Sequence, residues 1–438
     1  MLAELVERAS RALELARRAG ASDAWASAAR SRSVDVQVRD GQVEKLEEST
    51  SRSLSLRLYV DGRYGTFDTS DLREEQLAAF VREAVRMTRA LEPDPYRVIP
   101  DPALFANRPT DDLDLVDRRV LALDPETRIA WCMEMYERAC RHERLVSATV
   151  SASDSHSLVA TVSTNGFSGS HERTWIARSG EVTLRDEGDA RPAGSHYTGA
   201  RHLADLPEPR AVGDEALAQA VRRLGAVQGP TRRGIVVVEP RAAGRLVGAL
   251  VGPANARAFS QERSFWRGRV GERLLSERLR ITDDPLVPRG PGSRYYDGEG
   301  ISARRHPIVA DGALRTLYVD TYYGRKIGLP PTTGSSSNLV VEPGARPLAA
   351  IVADVREGVL VTGWIGGNSD ATTGDFSLGL RGHLIEGGRV GAPVQEMNLT
   401  GNLLTLFANL AEVGNDPWIW SSTRAPTLVF EDAQLSGA

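Results

Sequence analysis

With only two cysteines in 438 residues, Cys132 and Cys140, the chain has no disulfide framework. Eight residues apart on one predicted helix, they stand about 12 Å apart, too far to bond within it. Both are expected as buried thiols. No run of about 18 apolar residues occurs, so no membrane-spanning helix is predicted and no membrane partner is expected. Neither sign of charge dominates: 54 basic and 58 acidic residues leave a net charge of −4. That balance gives no electrostatic reason to expect nucleic acid or an anionic membrane as partner. The opening, Met1-Leu2-Ala3-Glu4-Leu5-Val6-Glu7-Arg8, is amphipathic and acidic. It lacks the basic start and apolar core of a secretory signal. A cytoplasmic location is the expectation, and the sequon Asn398-Leu399-Thr400 then carries no meaning.

What is present reads as an ordinary globular chain, 41% hydrophobic and 26% charged. At roughly 150 residues per domain, the length suits two or three domains. Leu2 to Arg18 follows a helical pattern that stops near Gly20. Val34, Val36 and Val38 alternate with Asp35, Gln37 and Arg39 as a half-buried strand does, and Asp40-Gly41 reads as a hairpin turn. A second alternation, Leu54, Leu56, Leu58 and Val60, runs into Asp61-Gly62 and a return strand through Tyr64 and Phe67. Asp71 with Glu74 predicts a capping box for a helix whose apolar face is Leu77, Phe80, Val81, Ala84 and Val85. Pro93, Pro95, Pro100, Pro102 and Pro109 predict an extended connector. Asp124 and Pro125 then open a helix with Ile129, Met133, Tyr136 and Cys140 along one stripe. Strands are predicted from Val146 to Ser153, from Ser157 to Ser163 and from Arg173 to Thr183, with a turn at Asn165-Gly166. A helix is predicted from Asp214 to Leu224.

Gln228-Gly229-Pro230 marks a boundary that divides residues 1–229 from residues 230–438. Past it, Ile235 to Val238 reads as a buried strand. Pro240 opens a helix that runs to Val251 and ends at Gly252-Pro253. Gly-rich turns then separate short strands. The exception is a predicted helix from Leu403 to Val413, with Leu403, Phe407, Leu410 and Ala411 as its stripe. Leu329 to Pro347, rich in Gly, Pro, Ser and Thr, is predicted as a functional or mobile loop. The expected class is α+β: an N-terminal hairpin-and-helix domain followed by a β-rich, barrel-like domain.

Most familiar chemistries fail on spacing. His142-Glu143 and His171-Glu172 begin like zinc motifs, but no second histidine follows at helical spacing. His196 and His202 are expected at the surface. His306 and His383 are expected in structural or solvated roles, though either could line a cleft. Gly166-Phe167-Ser168-Gly169 and Gly334-Ser335-Ser336 do not form a nucleophile elbow. Gly363-Trp364-Ile365-Gly366-Gly367 lacks the lysine of a phosphate loop. Asp283 with Asp284, and Asp297 with Glu299, are expected in turn and cap roles.

Three stretches, taken in order, resemble the TldD/PmbA peptidase family, historically called modulators of DNA gyrase. The first runs from Phe265 through Asp283-Asp284-Pro285, Tyr296-Asp297-Gly298-Glu299-Gly300 and Asp311-Gly312-Ala313-Leu314 to Tyr322-Tyr323-Gly324-Arg325-Lys326-Ile327-Gly328-Leu329. The second is Ala371-Thr372-Thr373-Gly374-Asp375-Phe376-Ser377-Leu378-Gly379. The third is Glu386-Gly387-Gly388-Arg389-Val390 with Gly401-Asn402-Leu403-Leu404 and Val413-Gly414-Asn415-Asp416. Active members of that family carry a helical H-E-x-x-x-H and a later cysteine. Both histidines of that motif, five residues apart, bind zinc with the cysteine, and the glutamate takes a proton from the bound water. The matching helix here, Arg241 to Val251, holds neither His nor Glu, and no cysteine follows Cys140. The chain therefore resembles the TldE/PmbA branch. That resemblance implies a non-catalytic subunit without metal or cofactor. It would complete the peptide-binding chamber of a TldD-like zinc-bearing partner, as a heterodimer or larger assembly acting on unfolded or short peptides. The alternative is a stand-alone, homo-oligomeric peptide- or protein-binding protein. Tyr322, Tyr323, Arg325, Asn368, Thr373, Gly374, Asp375, Phe376 and Ser377 are the candidates for a peptide cleft or subunit interface. The competing role for them is as turns that specify the fold.

Overall fold

The computed structural model describes residues 1–437. Six strands build one antiparallel sheet: β1 (Asp23–Arg39), β2 (Gln42–Val60), β3 (Arg63–Thr69), β4 (Leu145–Ser163), β5 (Ser168–Leu184) and β6 (Ala193–Ala200). Their order is β3-β2-β1-β4-β5-β6. The Asp40-Gly41 and Asp61-Gly62 turns hold both residues at positive φ (48° and 83°, 48° and 72°). That geometry matches the twist of a tight hairpin.

Alternation puts Ala24, Ala26, Ala28, Val36 and Val38 on one face of β1. Helices α1 (Leu2–Arg18) and α2 (Glu74–Arg89) cover one end of that face, packing Leu5, Ala9, Leu77 and Val81 on Leu54, Leu56 and Ala160. Helices α3 (Pro125–Ala139) and α4 (Pro209–Val221) cover the other end, packing Cys132, Met135, Val212 and Ala216 on Val36, Val150 and Val182. α3 and α4 approach so closely that a Cβ on Gly213 would lie 2.2 Å from the Met135 carbonyl oxygen.

Several local expectations are corrected. Asp71 does not cap α2. Its carboxylate accepts from the Arg73 amide at 3.1 Å and pairs with the same residue's guanidinium, so the local turn takes the group a cap would need. The buried stripe of α3 is Arg128, Cys132, Met135 and Ala139, while Met133 is 41% exposed. Cys140, at the helix end, is only half-buried. No break separates the strands near Asp154. β4 is continuous, paired along its length with β1 and β5, and its Asp154 is paired with Arg128 beneath the helices. α4 begins at Pro209, five residues before the expected start. His202 is not at the surface: it is 7% exposed, with Nε2 2.9 Å from the Asp114 carbonyl.

In the second half, β7 (Arg232–Val238) leads into α5 (Pro240–Val251). β8 (Glu357–Trp364), β9 (Asp375–Glu386), β10 (Arg389–Asn402) and β11 (Leu428–Ser436) follow. β7 pairs with β8 and β11, β8 with β9, β9 with β10 and β10 with β11. The ring closes, giving a five-stranded barrel that bears out the α+β, barrel-like expectation. A second sheet of short strands stands beside it, including Leu339–Val341 inside the segment predicted as loop. The predicted helix after Leu403 stops at Ala408, and Leu410–Val413 is a strand on β11. Pairing with Leu428 to Phe430 overrides the helical stripe there.

Candidate functional site

β7 delivers the chain to the barrel mouth, where Pro240 opens α5 with φ already set for a helix. Ala242, Ala243, Leu246, Val247, Leu250 and Val251 face the core. Two tryptophans fasten the helix. Trp364 Nε1 donates to the Ala242 carbonyl at 2.9 Å, and Trp266 Nε1 donates to the Leu250 carbonyl at 2.9 Å. The remaining face carries Arg241, Gly244, Arg245, Gly248 and Gly252. A Cβ on Gly248 would meet nothing within 4 Å. Arg245 donates to the Gly367 carbonyl at 2.7 Å. Beyond Gly248 lies a pocket of about 380 Å³ lined by Ala249, Gly252, Asn255, Arg257, Ser369 and Ala371.

This helix offers a metal no donors. Among the described residues, no group of three or more His, Cys, Asp or Glu side chains is placed to hold an ion. Zinc bound as in the active, H-E-x-x-x-H-bearing members of the family does not fit the residues present.

The candidate residues fall into two groups. Asn368 and Ser369 pair with Ser377 and Phe376, and the turn between them is held by Asp370, which accepts from the Thr372 amide at 2.6 Å. Gly374 has φ 85°, Phe376 is 6% exposed, and Asp375 accepts from Asn402 Nδ2 at 2.9 Å. Gly374 and Phe376 are thus committed to the fold. Asn368, Thr373, Asp375 and Ser377 stay exposed near α5. The other group sits on the short helix Thr321–Ile327. There Tyr322 donates its hydroxyl to Asp94 at 2.8 Å, Arg97 stacks 3.4 Å from its ring, and Tyr323 meets it edge-on at 4.8 Å. Arg325, exposed, reaches the Pro95 carbonyl at 3.4 Å. Tyr322 and Arg325 therefore clasp the proline-rich connector. The short helix Ala256–Ser260 stands between the two groups: it packs on Thr321–Ile327, and its Arg257 and Ala258 line the pocket beside Ala371.

Two features escaped the sequence reading. The first is the edge of β2. β3 pairs only from Leu54 onward, so among the described residues Gln42 to Ser53 have β1 on one side and no strand on the other. All twelve are exposed, including Val43 (47%) and Leu46 (51%). The polar run between the two apolar alternations was the available signal. The second is a cavity of about 360 Å³ between the free face of the six-stranded sheet and the segment Ser293–Gly298. His171 stands there, Nδ1 3.3 Å from the Tyr296 hydroxyl.

Burial, helped by Arg173 and Arg201, pushes the His171 ring down to about 4 from 6.5. The unfolded chain then binds more protons between pH 6.5 and 4, and stability falls as the pH drops through that window. His171→Gln is expected to remove this part of the acid limb, on the order of 2 kcal/mol between pH 7 and pH 4. Urea midpoints at the two pH values measure it, and an unchanged difference refutes a buried neutral ring.

A long helix-backed antiparallel sheet, together with a five-stranded barrel against which α5 packs, is an α+β architecture of the TldD/TldE type. Three family models match the chain: PmbA/TldA metallopeptidase domain 1 over residues 26–88, the central domain over 118–224 and the C-terminal domain over 231–437. The chain belongs to the PmbA/TldA metallopeptidase family. It is 27% identical to the metalloprotease PmbA of Escherichia coli, covering 99% of this chain and 96% of that one. It is 37% identical to a Bacteroides thetaiotaomicron protein described as a modulator of DNA gyrase, whose crystal structure superposes with a TM-score of 0.96 over 99% of this chain and 98% of that one. TldE from Thermococcus kodakarensis has the same fold, with a TM-score of 0.88 at 18% identity over 98% of this chain and 100% of that one.

Proposed function

We propose that this chain is a non-catalytic, TldE/PmbA-like subunit that completes the peptide-binding chamber of a TldD-type zinc peptidase in the cytoplasm. Residues 1–229 and 230–438 would be its two domains. The observation that carries the reading is the free face of α5. Where zinc chemistry of the H-E-x-x-x-H kind needs two imidazoles and a carboxylate, this helix presents Gly244, Arg245 and Gly248. The relatives named as metalloproteases lend the reading their family but not their metal. Asn368, Thr373, Asp375 and Ser377, exposed beside that face, would border the shared chamber. The unpaired edge of β2 gives the assembly a place to add a strand. The same edge also suits a second copy of this chain, which is the homo-oligomeric alternative.

Two measurements test this. The purified chain is expected to hold no stoichiometric zinc and to cleave no unfolded peptide. Recovered from native cells, it is expected to bring down a homologue bearing H-E-x-x-x-H, with chelator-sensitive peptidase activity in the pair. One tightly held zinc per chain, or self-association alone, refutes the proposal.

A further inference from the structure

A wider pocket, about 760 Å³, lies where the barrel meets the sheet domain, away from α5's free face. Consecutive β-bulges shape it. β8 pairs Val361 with Gly382 and Gly363 with Arg381, leaving Thr362 out of register. β9 and β10 pair Leu380 with Met397 and then Gly382 with Val394, leaving Gln395 and Glu396 unmatched, with Glu396 at φ 55°. Bulges of this kind re-aim side chains and withdraw backbone groups from the ladder. Thr362, Arg381 and Gln395 all line the pocket.

The charges in this pocket are unbalanced. The Arg381 carbonyl accepts from the Thr362 hydroxyl at 3.3 Å, but its guanidinium has no hydrogen-bond or carboxylate partner among the described residues. Arg223 donates only to the Ala193 carbonyl, and Arg191 only to the Gly188 and Ala190 carbonyls. Arg381 lies close enough that, together with burial, it helps push Arg223 down to about 10. Of the two acids on the lining, Asp186 is already committed, to the Gly225 amide at 2.8 Å and to Arg144 at 3.5 Å. Glu187 is exposed. Glu239 and Glu181 offset part of the repulsion at Arg223. Neither Arg223 nor Arg381 is in a salt bridge among the described residues, and an oxyanion between the two guanidiniums would relieve what remains through charge-assisted bonds. The rest of the wall includes Val227, Ile365, Pro393 and Val394, which suit an apolar body rather than a bare ion.

We infer that this pocket binds the carboxy-terminal end of a peptide, with the terminal carboxylate between Arg223 and Arg381 and an apolar side chain against Val227, Ile365 and Val394. The peptide class rests on the function proposed above; the preference for an oxyanion does not. Gln395 and Thr362 supply polar groups for the last peptide unit. Because Arg223 belongs to the segment joining the sheet domain to the barrel and Arg381 to the barrel itself, an occupied pocket ties the two together.

Calorimetric titration of the full chain tests it, with N-acetylated Ala-Val-Ile as the free acid, its C-terminal amide, and inorganic phosphate as probes. The free acid is expected to bind at least ten-fold tighter than the amide. Arg381→Gln is expected to lose ten-fold or more for the acid, while its thermal midpoint without ligand stays level or rises. Arg381→Lys is expected to recover part of the loss. Equal binding of acid and amide, an unaffected Arg381→Gln, or phosphate binding as tightly as the peptide acid each overturns the assignment. Metal content and partner recovery are read separately. A zinc-free, partner-bound chain that ignores the free acid sinks this inference alone, and a zinc-bearing chain that binds the acid sinks the function alone.

Discussion

Arg128→Ala is expected to destabilise the protein by about 3–5 kcal/mol, read as a lower urea midpoint at unchanged slope. Arg128 is 1% exposed, and its Nε lies 2.6 Å from Asp154 Oδ2. A second bond runs from Nη1 to the Leu123 carbonyl at 3.0 Å. Asp154 pairs across the sheet with Val34, in the row between the core under α1 and α2 and the core under α3 and α4. Removing the guanidinium strands a carboxylate at 6% exposure where water does not reach it. The double variant Arg128→Met/Asp154→Leu removes both charges and should recover most of the loss, because the cost lies in the uncompensated ion rather than in a missing attraction. If the single variant loses less than about 1 kcal/mol, the pair is not sealed from solvent as the geometry indicates.

Trp266→Ala should cost a similar amount, about 3–5 kcal/mol. The side chain is 0% exposed, packs against Phe265 with ring centroids 5.3 Å apart, and bonds the Leu250 carbonyl in the last turn of α5. Truncation opens a cavity in the barrel-side core and leaves a helix-end carbonyl without its donor. Trp266→Phe separates the two contributions. It keeps most of the volume and should lose about 1–2 kcal/mol, near the cost of the missing bond. Since α5 carries the face on which the functional reading rests, Trp266→Ala should also loosen the Gly248 pocket, visible as faster amide exchange from Leu246 to Val251. Unchanged exchange would separate the fold's stability from the site's rigidity.

Much of the architecture was legible because the determining signals are local. Asp40-Gly41 and Asp61-Gly62 form the expected hairpin turns, since only such pairs accept two successive positive φ values cheaply. The Pro240 start and the Val251 end of α5 were read to the residue. The full length of β2 was not legible, because between Gln42 and Ser53 neither face is buried and no alternation is demanded. The helix expected through Leu410 to Val413 carried an acceptable stripe and lost it to pairing with β11. Of the candidate residues, Tyr322 and Arg325 carry aromatic and cationic chemistry that reads as a cleft in one dimension. In three dimensions Asp94 and Arg97 contact Tyr322, and Arg325 reaches the Pro95 carbonyl while staying exposed.

Sequence alone carried the resemblance to the family, in the order and spacing of motifs spread over the second half, together with the α+β class and the lack of zinc-binding residues on α5, which short-range pattern and residue identity are enough to give. Tertiary structure alone decided which polar groups are brought together: Arg128 with Asp154 in the core, and, half-buried, His171 under Tyr296 and Arg223 beside Arg381. Those partners lie from 26 to 158 residues apart along the chain. Burial and charge proximity depend on distances that no periodicity encodes, and it is these that set where stability and binding reside.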